Sequence, residues 1–223
     1  VCIKEYDLVM DEEITIIDSN TRNEKIKNFF INNKKNLIVG LSIILILIIG
    51  YLSIKEVKER NQLKLANQFS LITINFKTEE KKITVDQLIK LISENDSTYS
   101  PLALYFLIDN NLINNRDEIN DLFDQLINKI DLDEEIKNLI IYKKALFNSE
   151  FSSENELLKI LNPIINSKSI WKSHSLYLMA EYFYSKDQRQ KAKEFFNQIL
   201  VLPNSNKEIK TKVQKRLNRD FGE

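Results

Sequence analysis

His174 is the only histidine of the chain, so it is the first residue to consider as a metal ligand or a general base. No second nitrogen or thiol ligand stands near it in sequence, and the single cysteine is Cys2. Protein zinc sites use at least three protein ligands, most of them histidines and cysteines. Trp171 and Leu178 lie about one helical turn to either side of His174, which favours a packed or surface histidine over a ligand.

The other groups that could do chemistry are carboxylates. The densest acidic run comprises Asp131, Asp133, Glu134 and Glu135. It could hold a hard cation, or it could be the first turn of a helix, where the helix dipole stabilises negative charge. We favour the helix. A phosphate-binding loop needs clustered glycines, but the glycines are Gly40, Gly50 and Gly222. No serine or cysteine is paired with a histidine base in a recognisable motif. The sequence therefore predicts a protein that is not an enzyme and takes no metal, cofactor or small-molecule substrate.

Charge is balanced over the whole chain, with 32 basic and 32 acidic residues, so net charge does not favour nucleic acid as a partner. The last segment is locally basic, with Lys207, Lys210, Lys212, Lys215, Arg216 and Arg219. Such a helix could contact anionic lipid or nucleic acid. It could also be a solvated cap that covers the end of a helical array with Ile209, Val213 and Leu217, which is the interpretation we favour.

An uncharged apolar run extends from Leu37 to Ile54. As a helix it would be roughly 27 Å long, close to the thickness of the hydrocarbon core of a bilayer. A cleaved signal peptide would need small residues at its end, where Tyr51 and Leu52 stand. A buried core helix would normally show a polar face. The sequence therefore predicts one membrane anchor bounded by Leu37 and Ile54, preceded by a short amphipathic helix over residues 23–30 that lies against the membrane.

The charges that flank this run are nearly equal on the two sides. The N-terminal side carries Arg22, Lys25, Lys27, Lys34 and Lys35, and the C-terminal side carries Lys55, Lys58, Arg60 and Lys64. Since cytoplasmic flanks are enriched in basic residues, the adjacent Lys34–Lys35 pair favours a cytoplasmic N-terminus. The alternative is an inverted topology with a cytoplasmic C-terminal domain. The chain begins with a valine, and Met10 is a candidate initiator.

Helical periodicity and start signals dominate the rest of the chain. Leu65, Phe69, Ile72 and Phe76 share one helical face. Helix starts are predicted at Thr84, Asn115, Ser153 and Ser205, each with Glu or Gln three residues on, at Ser100 before Pro101, and at Asp133 and Asp187. The predicted helices cover residues 84–95, 100–113, 116–130, 134–148, 153–167, 170–185, 188–201 and 205–219. No segment alternates as a strand would.

Paired helices at a spacing of roughly 34 residues are typical of a tetratricopeptide-like solenoid. The clearest unit combines small residues that let two helices approach with large ones that fill the flanks: Ala180, Phe183, Ala192, Phe196 and Ile199. Weaker units lie around Ala145 and Leu161, where Pro163 should kink or end its helix, and around Ala103, Phe106, Phe123 and Ile127. The predicted fold is all-α: residues 1–36 form a polar N-terminal segment, 37–54 a transmembrane helix, 55–82 a juxtamembrane helix and linker, and 83–223 a tetratricopeptide-like domain. Generic helical packing is the alternative.

Two stretches carry a resemblance to a known family. They are residues 100–113, SPLALYFLIDNNLI, and residues 156–200, which include Pro163, Trp171, Ala180, Ala192 and Phe196. The layout resembles the tetratricopeptide-like family of the ancillary SecYEG translocon subunit, which is related to the cell-division coordinator proteins. The resemblance implies a protein of the bacterial inner membrane with a cytoplasmic N-terminus and a periplasmic domain.

Its implied partners are Sec translocon subunits, periplasmic chaperones or nascent secreted chains. An adaptor of envelope assembly or cell division with the same domain is the alternative. Aromatic candidates for a binding groove, each of which could equally belong to the core, are Tyr105, Tyr142, Tyr177, Tyr182 and Tyr184.

Overall fold

The computed structural model describes residues 23–222, apart from the side chain of Thr78. Cys2, Met10, Arg22 and most of the predicted N-terminal segment therefore lie outside the described residues. The chain divides into two compact units, Val1–Asn61 and Gln62–Glu223. The described residues contain helices and no strand, so the all-α prediction is confirmed for them.

Helix α1 (Lys34–Ile74) contains the predicted apolar run and follows a helical segment over residues 23–32. Ile38, Leu45 and Ile49 are all more than half exposed, and no residue of α1 is buried. Among the described residues, α1 alone is long and apolar enough to cross a membrane. Its length and composition fit a membrane span, because unpaired backbone groups are avoided in lipid and apolar side chains are favoured there.

Eight further α-helices follow a short 3-10 turn (Thr78–Glu80). They are α2 (Lys81–Ser93), α3 (Tyr99–Asp109), α4 (Arg116–Lys129), α5 (Glu134–Asn148), α6 (Glu154–Ile165), α7 (Lys172–Ser185), α8 (Arg189–Val201) and α9 (Lys207–Phe221). Each corresponds to one predicted helix, and α5 has the predicted bounds. Periodicity of apolar residues was therefore a sufficient signal for these elements.

Two of the predicted helix starts are confirmed by their hydrogen bonds. The Asn115 side chain accepts hydrogen bonds from two backbone N–H groups of the first turn of α4, and Ser153 forms a reciprocal capping box with Glu156 at the start of α6. Two others are wrong. Thr84 lies inside α2 and donates to the carbonyl of Glu80. Ser205 is displaced by its neighbour Asn206, whose amide oxygen accepts the backbone N–H groups of α9.

Two proline predictions need correction. Pro101 is the third residue of α3 rather than the first, and the start of α3 is held by Asp96, whose carboxylate accepts the backbone N–H groups of Thr98 and Tyr99. Pro163 does not end its helix, since α6 continues to Ile165. Pro163 has no N–H to donate to the carbonyl one turn earlier, and the helix ends two residues after it.

Of the helices α2 to α9, only α9 ends at a glycine, Gly222, which has φ of 71°. Asn111 and Asp187 follow α3 and α7 in the left-handed conformation, with φ of 50° and 57°. The backbone N–H of Asp187 donates to the carbonyl of Tyr184, and that of Gln188 donates to Phe183, which is a Schellman motif. The sequence had predicted that Asp187 opens α8. This prediction is wrong, because Asp187 closes α7. Asn and Asp can adopt this conformation because their short polar side chains tolerate it.

Packing within the second unit follows chain order, with each helix from α2 to α8 contacting the next and α7 also contacting α5 and α9. Two hydrophobic clusters result. The N-terminal cluster includes Leu88, Ile92, Leu104, Leu107, Phe123 and Leu126, against which Phe69, Ile72 and Phe76 pack. The C-terminal cluster includes Leu157, Leu161, Ile164, Phe183 and Phe196.

Hydrogen bonds between alternate helices have a narrow range of sequence separation. Those that join α7 or its preceding loop to α5 and α9 include Ser169–Glu135, Trp171–Glu135 and Arg216–Glu181, at separations of 34, 36 and 35 residues. Lys191 on α8 reaches Glu154 on α6 at a separation of 37 residues. These hydrogen bonds therefore join helices that are two apart in the chain order.

Candidate functional site

Three rings from α5 and the start of α7 form a half-buried aromatic cluster. The ring of Tyr142 stacks on that of Trp171, with centroids 5.9 Å apart and planes 20° apart. The ring of His174 lies 5.1 Å from Trp171 and 6.0 Å from Tyr142. All three side chains keep partial access to solvent. Trp and Tyr side chains are enriched among the residues that contribute most to binding at protein interfaces.

The backbone of the loop before α7 is held in place by Glu135 in the first turn of α5. Its carboxylate accepts hydrogen bonds from the Ser169 hydroxyl at 2.7 Å and from the Ile170 backbone N–H at 3.4 Å. The Trp171 indole N–H donates to the Glu135 carbonyl at 3.1 Å. These bonds fix both the loop and the indole orientation, so the aromatic cluster is preorganised.

One edge of the cluster is charged. Lys212 and Glu208 lie one turn apart on α9 and form an exposed ion pair at 2.8 Å. Burial lowers the pKa of His174 below its ordinary value of 6.5, with the Ile170 backbone and Glu208 opposing the shift and Lys212 adding to it. Burial raises the pKa of Tyr142, and the Lys212 charge opposes that shift. His174 is therefore neutral at pH 7. We name Tyr142, Trp171, His174, Glu208 and Lys212 the aromatic face.

A second cluster joins α9 to α7 next to this face. The Arg216 guanidinium binds the Glu181 carboxylate through two hydrogen bonds, Nε–Oε1 at 2.8 Å and Nη2–Oε2 at 2.6 Å. It also pairs with Asp220 and lies 4.4 Å from the centroid of the Tyr184 ring. The hydrogen bond to Glu181 raises the pKa of Arg216. Burial, followed by the Glu181 carboxylate, raises the pKa of Tyr177 to about 12. This arrangement fixes α9 against α7.

The remaining candidate tyrosines have different environments. Tyr182 is a core residue, since it is buried and its hydroxyl donates to the Ser152 carbonyl. Tyr105 on α3 is partly buried, burial raises its pKa to about 12, and Lys143 lies 5.7 Å from its ring centroid. Only Tyr142 of the five therefore belongs to the aromatic face. Sequence reasoning missed the roles of Glu135 and Arg216, because their partners lie more than 30 residues away.

The residues predicted to pack the clearest repeat unit lie together in the C-terminal cluster: Ala180, Phe183, Ala192, Phe196 and Ile199. Their exposed fractions do not exceed 1%. The Phe196 ring contacts Tyr177 at 5.7 Å and Phe221 at 6.1 Å between centroids. They are interior residues of the α7–α8 pair and are not accessible to a partner.

The acidic residues around the start of α5 take part in the structure of the helix start and of the loop before α7. Asp133 precedes the helix without a side-chain cap, Glu134 and Glu135 lie in its first turn, and Glu135 holds the loop before α7. In the described part of the chain, no three His, Cys, Asp or Glu side chains are close enough together to hold a metal ion.

Comparison of the chain with protein-family models, with curated proteins and with solved structures gives no match.

Proposed function

We propose that the protein is a membrane-anchored, non-catalytic scaffold whose aromatic face binds extended or helical segments of other proteins. In this proposal α1 is the anchor, through Leu37 to Ile54, and the helices of residues 83–223 form a tetratricopeptide-like solenoid. The observation that carries the proposal is the preorganised stack of Tyr142, Trp171 and His174 beside a charged edge.

The repeat arrangement is supported by the order of the contacts. Helices α2 to α9 each pack on their neighbours in the chain, and hydrogen bonds between alternate helices include separations of 33 to 37 residues. These are the contacts that stacked helix pairs make. In such an array α5, α7 and α9 are equivalent first helices of successive pairs, and the aromatic face lies on these three.

The chemistry of the face supports a protein partner. Interface centres are enriched in Trp and Tyr, while their rims are polar and charged. Trp171 and Tyr142 provide the rigid aromatic surface, and Lys212 and Glu208 provide opposite charges at its edge. A bound segment that lacks a defined fold keeps its side chains available to both regions, so an emerging or unfolded chain is a suitable ligand.

The family resemblance supplies the identity of the partners in this proposal. They are Sec translocon subunits, together with periplasmic chaperones or nascent secreted chains, and the N-terminus is cytoplasmic while the helical domain is periplasmic in the bacterial inner membrane. Anchoring would favour such weak contacts, since it confines scaffold and translocon to one surface and raises their effective concentration.

Site-specific crosslinking in intact membranes tests this function. A photoreactive residue replaces Lys212, whose side chain is 53% exposed, and the matched control replaces Arg189 on α8, whose side chain is 61% exposed. We expect translocon subunits or secreted chains to be captured from position 212 and not from position 189. Capture of division or envelope-assembly proteins without translocon subunits would support the alternative adaptor and contradict this assignment.

Protease treatment of spheroplasts tests the orientation. A periplasmic domain should be cleaved by added protease within the exposed α8–α9 connection, around Pro203 and Asn204. Complete protection in intact spheroplasts, with cleavage after lysis, would establish the inverted topology instead.

A further inference from the structure

The helical segment over residues 23–32 exposes an apolar stripe that no described residue covers. Ile26, Phe29 and Phe30 are 48%, 57% and 57% exposed. Their spacing of three and four places them on one side of the helix. The two phenyl rings contact each other edge to face, with centroids 6.0 Å apart. The stripe is therefore a continuous apolar surface on a segment next to α1.

Positive charge borders this stripe. Lys25 and Lys27 flank Ile26 and lie about 100° to either side of it on the helix, while Asn28 lies on the opposite side. Lys34 and Lys35 follow at the start of α1, and Glu24 is the only acidic residue among the thirteen from 23 to 35. An apolar stripe with lysines at its borders matches a surface that is apolar inside and negatively charged outside.

The helix is interrupted between the stripe and α1. Asn33 is a turn residue between helical residues 32 and 34. Its side-chain amide and its backbone N–H both donate to the Phe29 carbonyl at 3.0 Å. A side chain that competes for the backbone carbonyls weakens the helix at that point, so Asn33 is a natural hinge.

We propose that residues 23–35 bind the anionic surface of the bilayer, folding at Asn33 so that Ile26, Phe29 and Phe30 enter the headgroup region. This inference rests on the proposed membrane anchoring by α1. Lys25, Lys27 and Lys34 extend their alkyl stems along the apolar region and place their amino groups at the lipid phosphates. Each lysine near such a surface strengthens binding about fivefold.

Spin-label accessibility in the full chain tests this contact. A nitroxide is attached at Ile26→Cys or at Asn28→Cys in a Cys2→Ser background, and the protein is reconstituted into phosphatidylcholine vesicles with or without phosphatidylglycerol. We expect the label at position 26 to be accessible to oxygen and protected from a water-soluble nickel chelate in the anionic vesicles. The label at position 28 should stay accessible to nickel. Lys25→Gln with Lys27→Gln should lower the ratio of surface-bound to unbound segment about 25-fold.

Equal nickel accessibility at positions 26 and 28 in anionic vesicles would overturn the inference. Protection at position 26 that is unchanged without phosphatidylglycerol would also overturn it, because the charge of the lipid would then not be recognised. A label at Ile46→Cys reports the anchor separately. If position 46 is accessible to nickel while position 26 is protected, the anchor fails and the surface contact stands; accessibility at both positions refutes both.

Discussion

Replacement of Phe196 by alanine should destabilise the helical domain strongly. The ring is completely buried on α8 and contacts Tyr177 and Phe221, which lie on α7 and at the end of α9. Its removal leaves a cavity at the junction of three helices. Phe→Ala changes in well-packed cores cost about 3–5 kcal/mol, because transfer free energy and cavity formation add.

The size of the expected thermal shift follows from that free energy. In domains of this size 1 kcal/mol corresponds to about 2–4 °C in Tm, so Phe196→Ala should lower Tm by about 6–20 °C. Phe151→Ala is the matched control, because the Phe151 side chain is 55% exposed. The Arg116 guanidinium lies 4.4 Å from the centroid of its ring. The control should cost about 1 kcal/mol or less.

The assay is thermal unfolding of the detergent-solubilised chain by circular dichroism, followed by hydrogen exchange resolved by peptide. If the helices stack as repeats, Phe196→Ala should increase exchange in α7, α8 and α9, while α2 and α3 keep their protection, since they belong to the N-terminal cluster. Equal destabilisation by Phe196→Ala and Phe151→Ala would refute the packing argument. Uniform loss of protection from α2 to α9 would refute the repeat-like organisation.

Three further outcomes follow from named contacts. A double-mutant cycle of Glu181→Gln and Arg216→Met, measured by chemical denaturation, should give a coupling free energy of about 2 kcal/mol. This value lies between those of exposed and buried pairs, since the two side chains are 33% and 16% exposed. Additive effects of the two substitutions would show that the pair contributes nothing. Ser153→Ala should cost about 1 kcal/mol through loss of the α6 cap, whereas Ser205→Ala should remove no cap, and equal losses would contradict the cap assignment. Burial lowers the pKa of His174 in the folded chain, so the unfolded chain binds more protons as the pH falls through 6.5 and the free energy of unfolding should decrease there. His174→Gln should lose this pH dependence. Identical pH profiles of unfolding for the two proteins would contradict the prediction.

Local signals were enough to predict the helices, because periodicity and caps act within a few residues. The spacing of Leu157, Leu161 and Ile164 defines a buried face of α6 whatever the rest of the chain does. The C-terminal ends of the helices were harder to predict from the sequence. Apart from Gly222, the left-handed residues in the described part of the chain are Asn95, Asn111 and Asp187, and Asn and Asp are also preferred at helix starts.

The candidate site could not be assembled from the sequence, because its residues come from three helices. Tyr142, Trp171 and Lys212 are separated by 29 and 41 positions and meet only after α5, α7 and α9 have packed. Tyr142 was one of five candidate tyrosines, and nothing near it in sequence distinguished it from the buried Tyr182. Partner preference within a shared fold depends on such surfaces, which local patterns do not specify.

The fluorescence of Trp171 tests the central claim most directly, because it is the only tryptophan of the chain and lies in the aromatic face. The purified full chain is titrated with an unfolded secretory polypeptide that contains no tryptophan. The account predicts a saturable blue shift and reduced quenching by acrylamide, both lost in Tyr142→Ala. Binding of the polypeptide with unchanged Trp171 emission, or an unaltered response in Tyr142→Ala, would contradict it.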